Sequence, residues 1–244
     1  MQRGMNSSFS AHSQPVLIDA RTMRQVTAVP VHSIRVTMVH PSLAKYRVPV
    51  FRELATRTGL DLRVVYGTSE NVPNVSPEGF QAIPVSRWEG RVAGQLLMVQ
   101  GSEWTYCSPQ HSDVVVLRWT PRSLSLLPAL LRARLNGVAT ILWGHGYSKS
   151  ERSWWRAARN LLAKQCSALV FYDQQTRYEF IREGWDADRL YVALNCIDPT
   201  EINQARQWWQ EAGRLSEFRQ EHGIDGGPVI LFVSRLQPAI ALIC

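Results

Sequence analysis

The chain has 244 residues, with 27 lysines and arginines against 20 acidic residues and a formal net charge of +7. Its hydrophobic content of 45% is enough for a core in one large domain or two modest ones. No run of about eighteen apolar residues exists, so no membrane-spanning helix is expected, and the four cysteines (Cys107, Cys166, Cys196, Cys244) have neither metal-type spacing nor the density of a disulfide framework.

Such cysteine usage suits a reducing, cytosolic location. The positive charge favours an anionic partner, such as a membrane surface, nucleic acid or a phosphorylated ligand. Arginines spread along the whole chain also fit a biased genome composition. Residues 1–32 are rich in Ser, Gln and Arg and lack the apolar core of a signal peptide, so they read as a disordered extension or a misplaced start.

Ser33 to Val39 reads as a strand, followed by a loop through His40-Pro41-Ser42-Leu43. A helical pattern runs from about Tyr46 to Thr58, with Val50, Phe51, Leu54 and Ala55 at helical spacing, Pro49 in the first turn and Gly59 at the end. Asp61 to Tyr66 is a second strand, completing a βαβ unit. From Thr68 to Gly94 the pattern dissolves into Asn, Pro, Ser and Gly, with room for a short strand at Phe80 to Val85. Leu96 to Val99 and Trp104 to Tyr106 are expected to form a hairpin around Gly101-Ser102.

Asp113 to Leu117 is a buried-type strand. Thr120-Pro121 is the expected cap and first-turn proline of a helix whose apolar side carries Leu124, Leu127, Leu130, Leu131 and Leu135, closed by Asn136-Gly137. Val138 to Trp143 is a strand that breaks at Gly144-His145-Gly146. A basic, Trp-bearing helix then runs from Glu151 to Lys164. The strand Ala168 to Tyr172, the helix Gln174 to Glu183 and the strand Leu190 to Leu194 follow, leading into Asn195-Cys196-Ile197-Asp198-Pro199. Strands alternating with helices across short loops predict an α/β fold, a mostly parallel Rossmann-like sheet between Ile34 and Asp198 with helices on both faces. Ligands of such sheets bind at the carboxyl ends of the strands, which singles out His145 and the Asn195 to Asp198 stretch.

After Pro199 the character changes. Thr200 to Glu221 reads as one polar helix anchored by Trp208 and Trp209, and Val229 to Val233 as a buried strand followed by Ser234-Arg235-Leu236. A buried parallel strand needs neighbours, so the expectation is a domain over 33–199 and, over 200–244, an interdomain helix with the truncated start of a second domain.

Taken together, these residues resemble the family 4 glycosyltransferases, whose GT-B architecture sets two Rossmann-like domains face to face. The resemblance covers roughly Ile34 to Leu236. It rests on the ordered series Asp113-Val-Val-Val, Gly144-His145-Gly146, Ser167-Ala-Leu-Val, the hinge from Gly184 through Leu190 to Asp198, and Val229-Ile-Leu-Phe-Val-Ser-Arg-Leu. The stretch Pro41 to Leu54 also looks like the first loop and helix of many members.

The resemblance implies an acceptor held by the first domain and a nucleotide-sugar held by the second. An arginine and a lysine neutralise the diphosphate, with no metal and no cofactor beyond the donor itself. Arg235 matches the arginine; no lysine lies between Pro238 and Cys244, and the family's paired donor-side glutamates would fall further along. Cys196 stands where the family's hinge commonly has glycine. The implied activity is retaining transfer of a sugar from a nucleotide diphosphate to a hydroxyl of a lipid-linked or polysaccharide intermediate, in a truncated and inactive form. The alternative is a non-catalytic Rossmann-like module that binds a glycan or an anionic membrane.

Several residues carry both a functional and a plain structural reading. His145, by resemblance, faces the interdomain cleft and contacts the donor sugar; otherwise it caps its strand. Tyr46 and Arg47 lie on the acceptor side, where Arg47 could clasp a phosphate or carboxylate, or simply be a surface arginine. In the 151–164 helix, Trp154, Trp155, Ala158, Leu161 and Leu162 share one face, and Arg152, Arg156 and Arg159 the other. That suits an interfacial helix on the inner face of a membrane, or an ordinary amphipathic helix docked on the sheet. There is no Gly-x-Gly-x-x-Gly after Val39 and no nucleophile elbow, and nucleic-acid binding would rest on net charge alone, so neither a dehydrogenase, a serine hydrolase nor a nucleic-acid partner is expected.

Overall fold

The computed structural model describes residues 33–68, 74–92, 94–147, 153–195, 197–211, 213–224 and 226–231. The extension expected over 1–32, Arg152, Cys196 and Arg235 lie outside these residues. In chain order the elements are β1 (Ile34–His40), α1 (Val48–Ala55), β2 (Leu60–Thr68), β3 (Gln81–Ser86), β4 (Trp88–Val92), β5 (Gln95–Val99) and α2 (Gly101–Tyr106). These are followed by β6 (Val114–Arg118), α3 (Leu126–Leu135), β7 (Ala139–Gly144), α4 (Ser153–Gln165), β8 (Ala168–Phe171), α5 (Gln174–Arg182), β9 (Leu190–Val192), α6 (Thr200–Gln210) and α7 (Arg214–Glu221).

Seven strands form one sheet in the order β3-β2-β1-β6-β7-β8-β9, and every neighbouring pair is parallel. The order reverses between β1 and β6. Strands buried on both faces need apolar residues at successive positions, and these strands supply them. Val39, Val65, Val115, Leu117 and Leu142 pack under α3, α4 and α5, while their sequence neighbours Met38, Val64, Val116 and Trp143 pack with Val48 and Phe51 of α1 on the opposite face. The α/β Rossmann-like fold with helices on both faces is thus the one the sequence predicts. At the other end of the sheet, Arg35 clasps Asp113, with Nη2 to Oδ1 at 2.6 Å and Nε to Oδ2 at 3.2 Å, and so joins β1 to the entry of β6.

Four local expectations are corrected. The hairpin is β4 with β5, pairing Trp88 with Val99 and Val92 with Gln95, and Trp104 to Tyr106 belongs to α2. Gly94, at φ 76°, takes the turn conformation that favours glycine, whereas Gly101 opens a helix. Thr120-Pro121 does not cap α3, which starts six residues after Thr120, behind Ser125. The Arg122 carbonyl accepts from Met98 N–H, and Leu124 N–H donates to the Met98 carbonyl, so the intervening backbone is committed to β5. The buried face of α3 is consequently Leu126, Ala129, Leu130 and Ala133, while Leu124, Leu131 and Leu135 are exposed.

The single helix expected over 200–221 is two, interrupted before Gly213 at φ 90°. Neither buries a residue; Trp209 packs edge-on against Phe218, with ring centroids 5.3 Å apart. Finally, Val229, Ile230 and Leu231 are in no strand and stand exposed. They pair with no strand of the sheet, and an unpaired segment has no ladder to hold it extended.

Candidate functional site

A cavity of about 860 Å³ opens at the carboxyl ends of β1, β6, β7 and β8. This is where the reversal of strand order leaves a crevice in an open parallel sheet. Each strand end delivers a polar or aromatic group. β1 ends in His40, β6 in Arg118 followed by Trp119, β7 in Gly144-His145-Gly146, and β8 in Phe171 followed by Tyr172.

The glycines explain how His145 is displayed. A Cβ on Gly144 would come within 2.9 Å of the Trp119 Cβ. One on Gly146 would meet Thr176 Cγ2 at 2.6 Å, at a backbone φ of 74° that side chains rarely adopt. Both positions therefore press against the protein, and only the residue between them points outward. The His145 ring is exposed and packs on Tyr172, with centroids 4.5 Å apart. Behind it, the Gly146 carbonyl accepts a hydrogen bond from the Arg159 guanidinium.

Arg47 comes from the short 3-10 turn Lys45–Arg47 that follows β1. Its guanidinium lies 4.5 Å above the Trp143 ring and 5.3 Å from that of Tyr46, and Nη2 donates to Tyr172 Oη at 2.8 Å. Tyr46 itself is partly exposed at the rim. The structure thus brings Tyr46, Arg47 and His145 into one cavity wall.

Four residues that the sequence reading did not single out complete it. Arg87, from the β3–β4 junction, donates Nη1 to the Pro41 carbonyl at 2.6 Å and pairs through Nη2 with Glu89. Arg118 and Arg122 project from the end of β6 and the turn after it. Arg118 is exposed to solvent, although protein atoms crowd around it. Burial first, then its neighbours Arg87, Arg47 and Arg122, lower its pKa from the ordinary value. It keeps its proton near neutral pH all the same.

His40 is buried between Phe51 and Trp143, whose ring centroids lie 5.3 and 5.9 Å away. Burial, then Arg47 and Arg118, lower its pKa to about 3, so it is neutral at pH 7. Its Nε2 has no hydrogen-bond partner among the described residues. The strand-end rule would have found His40 and Arg118 had the adjacency of β1 and β6 been known. Spacing along the chain does not reveal it.

The α4 partition is corrected at Arg159. This arginine is 5% exposed and shares the buried face with Leu162 and Ala163, while Trp154 and Leu161 are exposed and Trp155 reaches the cavity wall. The Arg159 backbone carbonyl accepts from Trp119 Nε1 at 3.2 Å. Arg156 is exposed. The exposed side of α4 thus carries Trp154, Leu161 and Arg156 together. Trp154 and Trp155 stack on each other with centroids 3.9 Å apart.

Among the described residues no group of three or more His, Cys, Asp or Glu side chains is placed to hold a metal ion, and no helix is long and apolar enough to cross a membrane.

No family model and no curated protein matches this chain. Among solved structures it is similar to the UDP-GlcNAc 2-epimerase of Methanocaldococcus jannaschii, with a TM-score of 0.43 and 16% identity over 65% of this chain and 45% of that one. It is also similar to the Neisseria meningitidis UDP-GlcNAc 2-epimerase bound to UDP-GlcNAc (TM-score 0.47, 13% identity, 78% of this chain and 54% of that one). A third is the S. aureus MnaA–UDP co-structure (TM-score 0.46, 12% identity, 78% and 51%). The chain spans about half the length of these structures, and likeness at this level carries no argument about activity.

Proposed function

We propose that this chain is the acceptor-side half of a GT-B-type, family-4-like glycosyltransferase that uses a nucleotide-sugar donor and a glycan or lipid-linked acceptor. The observation that carries the reading is His145. It is presented by two sterically required glycines at the carboxyl end of a central strand, in the wall of a cavity shared with the acceptor-side residues Tyr46 and Arg47. Retaining transfer asks little proton chemistry of the protein: it needs the departing diphosphate stabilised and the acceptor hydroxyl held in place.

Epimerisation, the activity in the names of the similar structures, is the second reading. Removing a proton from a sugar carbon needs a base in the wall. The wall offers the exposed His145 imidazole for that role, whereas Glu89 is ion-paired to Arg87 and His40 is enclosed between aromatic rings.

The test is to fuse the chain to a donor-binding GT-B half-domain and follow labelled sugar from UDP- and GDP-sugars onto polyprenyl-diphosphate-linked acceptors. Transfer that His145→Ala abolishes supports the proposal. Conversion of the donor sugar to its epimer without acceptor would replace transfer by epimerisation. Binding of glycan or anionic vesicles with no turnover would leave a non-catalytic module.

A further inference from the structure

We infer that the cavity between the ends of β1 and β6 is a phosphoryl-binding subsite, with Arg118 and Arg122 contacting the anion and Arg47 and His40 forming its floor. This deepens the transfer reading and rests on it for the identity of the ligand as an acceptor, one that carries a phosphate or diphosphate. The site itself stands on geometry alone.

The first observation is a charge imbalance. Five arginines and one glutamate line the cavity, an excess of four positive charges. That glutamate is committed to Arg87. Glu103, whose carboxylate feels the charge of Arg118, is buried and accepts hydrogen bonds from Ser123 Oγ at 2.8 Å and Ser125 Oγ at 2.7 Å. Arg47 is held by Tyr172 and Arg159 by Gly146. The guanidiniums of Arg118 and Arg122 are the ones left over: neither makes a side-chain hydrogen bond or an ion pair to a described residue.

Like charges gathered at a partly desolvated site repel one another. Their mutual effect is visible in Arg118 and His40, whose protonated forms are both disfavoured by neighbouring arginines. A ligand of opposite charge turns this repulsion into attraction.

The second observation is independent of charge. His40 is 7% exposed, lines the cavity and has an Nε2 with no hydrogen-bond partner among the described residues. Buried polar atoms of folded proteins are nearly always satisfied, so such an atom in a cavity wall marks a ligand position. A neutral imidazole with the proton on Nε2 donates to an anionic oxygen without adding charge.

The excess of positive charge matches a phosphoryl group better than a carboxylate. A diphosphate offers several acceptor oxygens and two or more negative charges, and guanidinium forks bond such oxygens in pairs. Tyr46, partly exposed at the rim of the same cavity, would receive a flat or apolar portion of the same ligand.

The experiment is calorimetric titration of the 244-residue chain at low salt with inorganic pyrophosphate. Affinity at least ~10-fold above that for acetate is expected, weakening as salt rises. Arg118→Gln and Arg122→Gln should each weaken binding by about 10-fold, whereas Arg134→Gln, on the exposed side of α3, should leave it unchanged. Because the Arg118 side chain bonds to no described residue, Arg118→Gln should melt no lower than the parent. Should it fail to fold, the parent alone serves: added pyrophosphate must shift the His40 imidazole resonances.

A second titrant, farnesyl diphosphate, separates two sources of the same group. Binding about 10-fold tighter than pyrophosphate supports a lipid-linked diphosphate, and equal binding supports a soluble phosphorylated ligand. No binding of pyrophosphate, or equal binding by parent and the Arg118→Gln/Arg122→Gln double variant, overturns the subsite. Pyrophosphate binding with no sugar transfer in the fusion protein overturns the transfer reading and keeps this one. Transfer to uncharged acceptors without pyrophosphate affinity does the reverse.

Discussion

The guanidinium of Arg47 lies over the indole of Trp143, 4.5 Å from its ring centroid, and donates from the same plane to Tyr172 Oη at 2.8 Å. One residue from the segment after β1 is thereby tied to the ends of β7 and β8, across β6, which lies between β1 and β7 in the sheet. The contact combines attraction to the ring's negative face with a hydrogen bond from a charged donor.

Arg47→Lys keeps the charge but neither the flat stack nor the donor geometry. A loss of about 1 kcal/mol is expected by urea denaturation, since a stacked cation contributes of that order. An unchanged midpoint would mean the stack contributes nothing in solution.

His40 gives a pH dependence with a definite sign. Its folded-state pKa is lowered from 6.5 to about 3. Between those values the unfolded chain binds a proton that the folded chain refuses, so its contribution to stability is full above pH 6.5 and is lost progressively as pH falls towards 3. The slope while the proton is excluded is about 1.4 kcal/mol per pH unit. Denaturation midpoints of His40→Gln measured from pH 7 to 4 should therefore fall less steeply than those of the parent. Arg118→Gln should also flatten the slope, because Arg118 is one of the charges that lower His40.

Gly146→Ala should be severe. The new methyl would sit 2.6 Å from Thr176 Cγ2 and 3.2 Å from Phe171 and Phe180 atoms, on a backbone at φ 74°. Overpacking and a left-handed non-glycine residue together cost about 2–4 kcal/mol. Thermal melting measures it, and a melting temperature within a degree of the parent would contradict the packing described for this turn.

Glu103 carries the opposite sign from His40. Burial raises its pKa despite the hydrogen bonds from Ser125 and Ser123 that favour its ionised form. A raised carboxyl pKa removes stability as pH rises above the unfolded value of about 4.5. Glu103→Gln retains an oxygen for the serines and no longer has to ionise, so it should be more stable than the parent at pH 8 and lose that advantage by pH 4. Lower stability at both pH values would show that the carboxylate itself is needed, through its attraction to Arg118.

The amino-acid sequence by itself determined the alternation of strands and helices over residues 34–66 and 113–192 and the break at Gly144-His145-Gly146. These follow from local rules: runs of β-branched and aliphatic residues, helical spacing, and glycines where the backbone must turn. It also placed His145 at a strand's carboxyl end. Only the tertiary structure decided that β6 lies beside β1, because strand adjacency is a long-range pairing with no local signature. That adjacency sets Arg118 next to His40 and gathers Arg47, Arg87 and Arg122 around them. It also decided which side of α4 is buried. Trp154 and Arg159 have the composition of a lipid-facing wheel, yet Arg159 turns inward because the Gly146 carbonyl is there to accept from its guanidinium and the Trp119 indole N–H to donate to its backbone carbonyl. Periodicity reports how apolar a face is; whether a charge can be buried depends on partners that only the folded chain supplies.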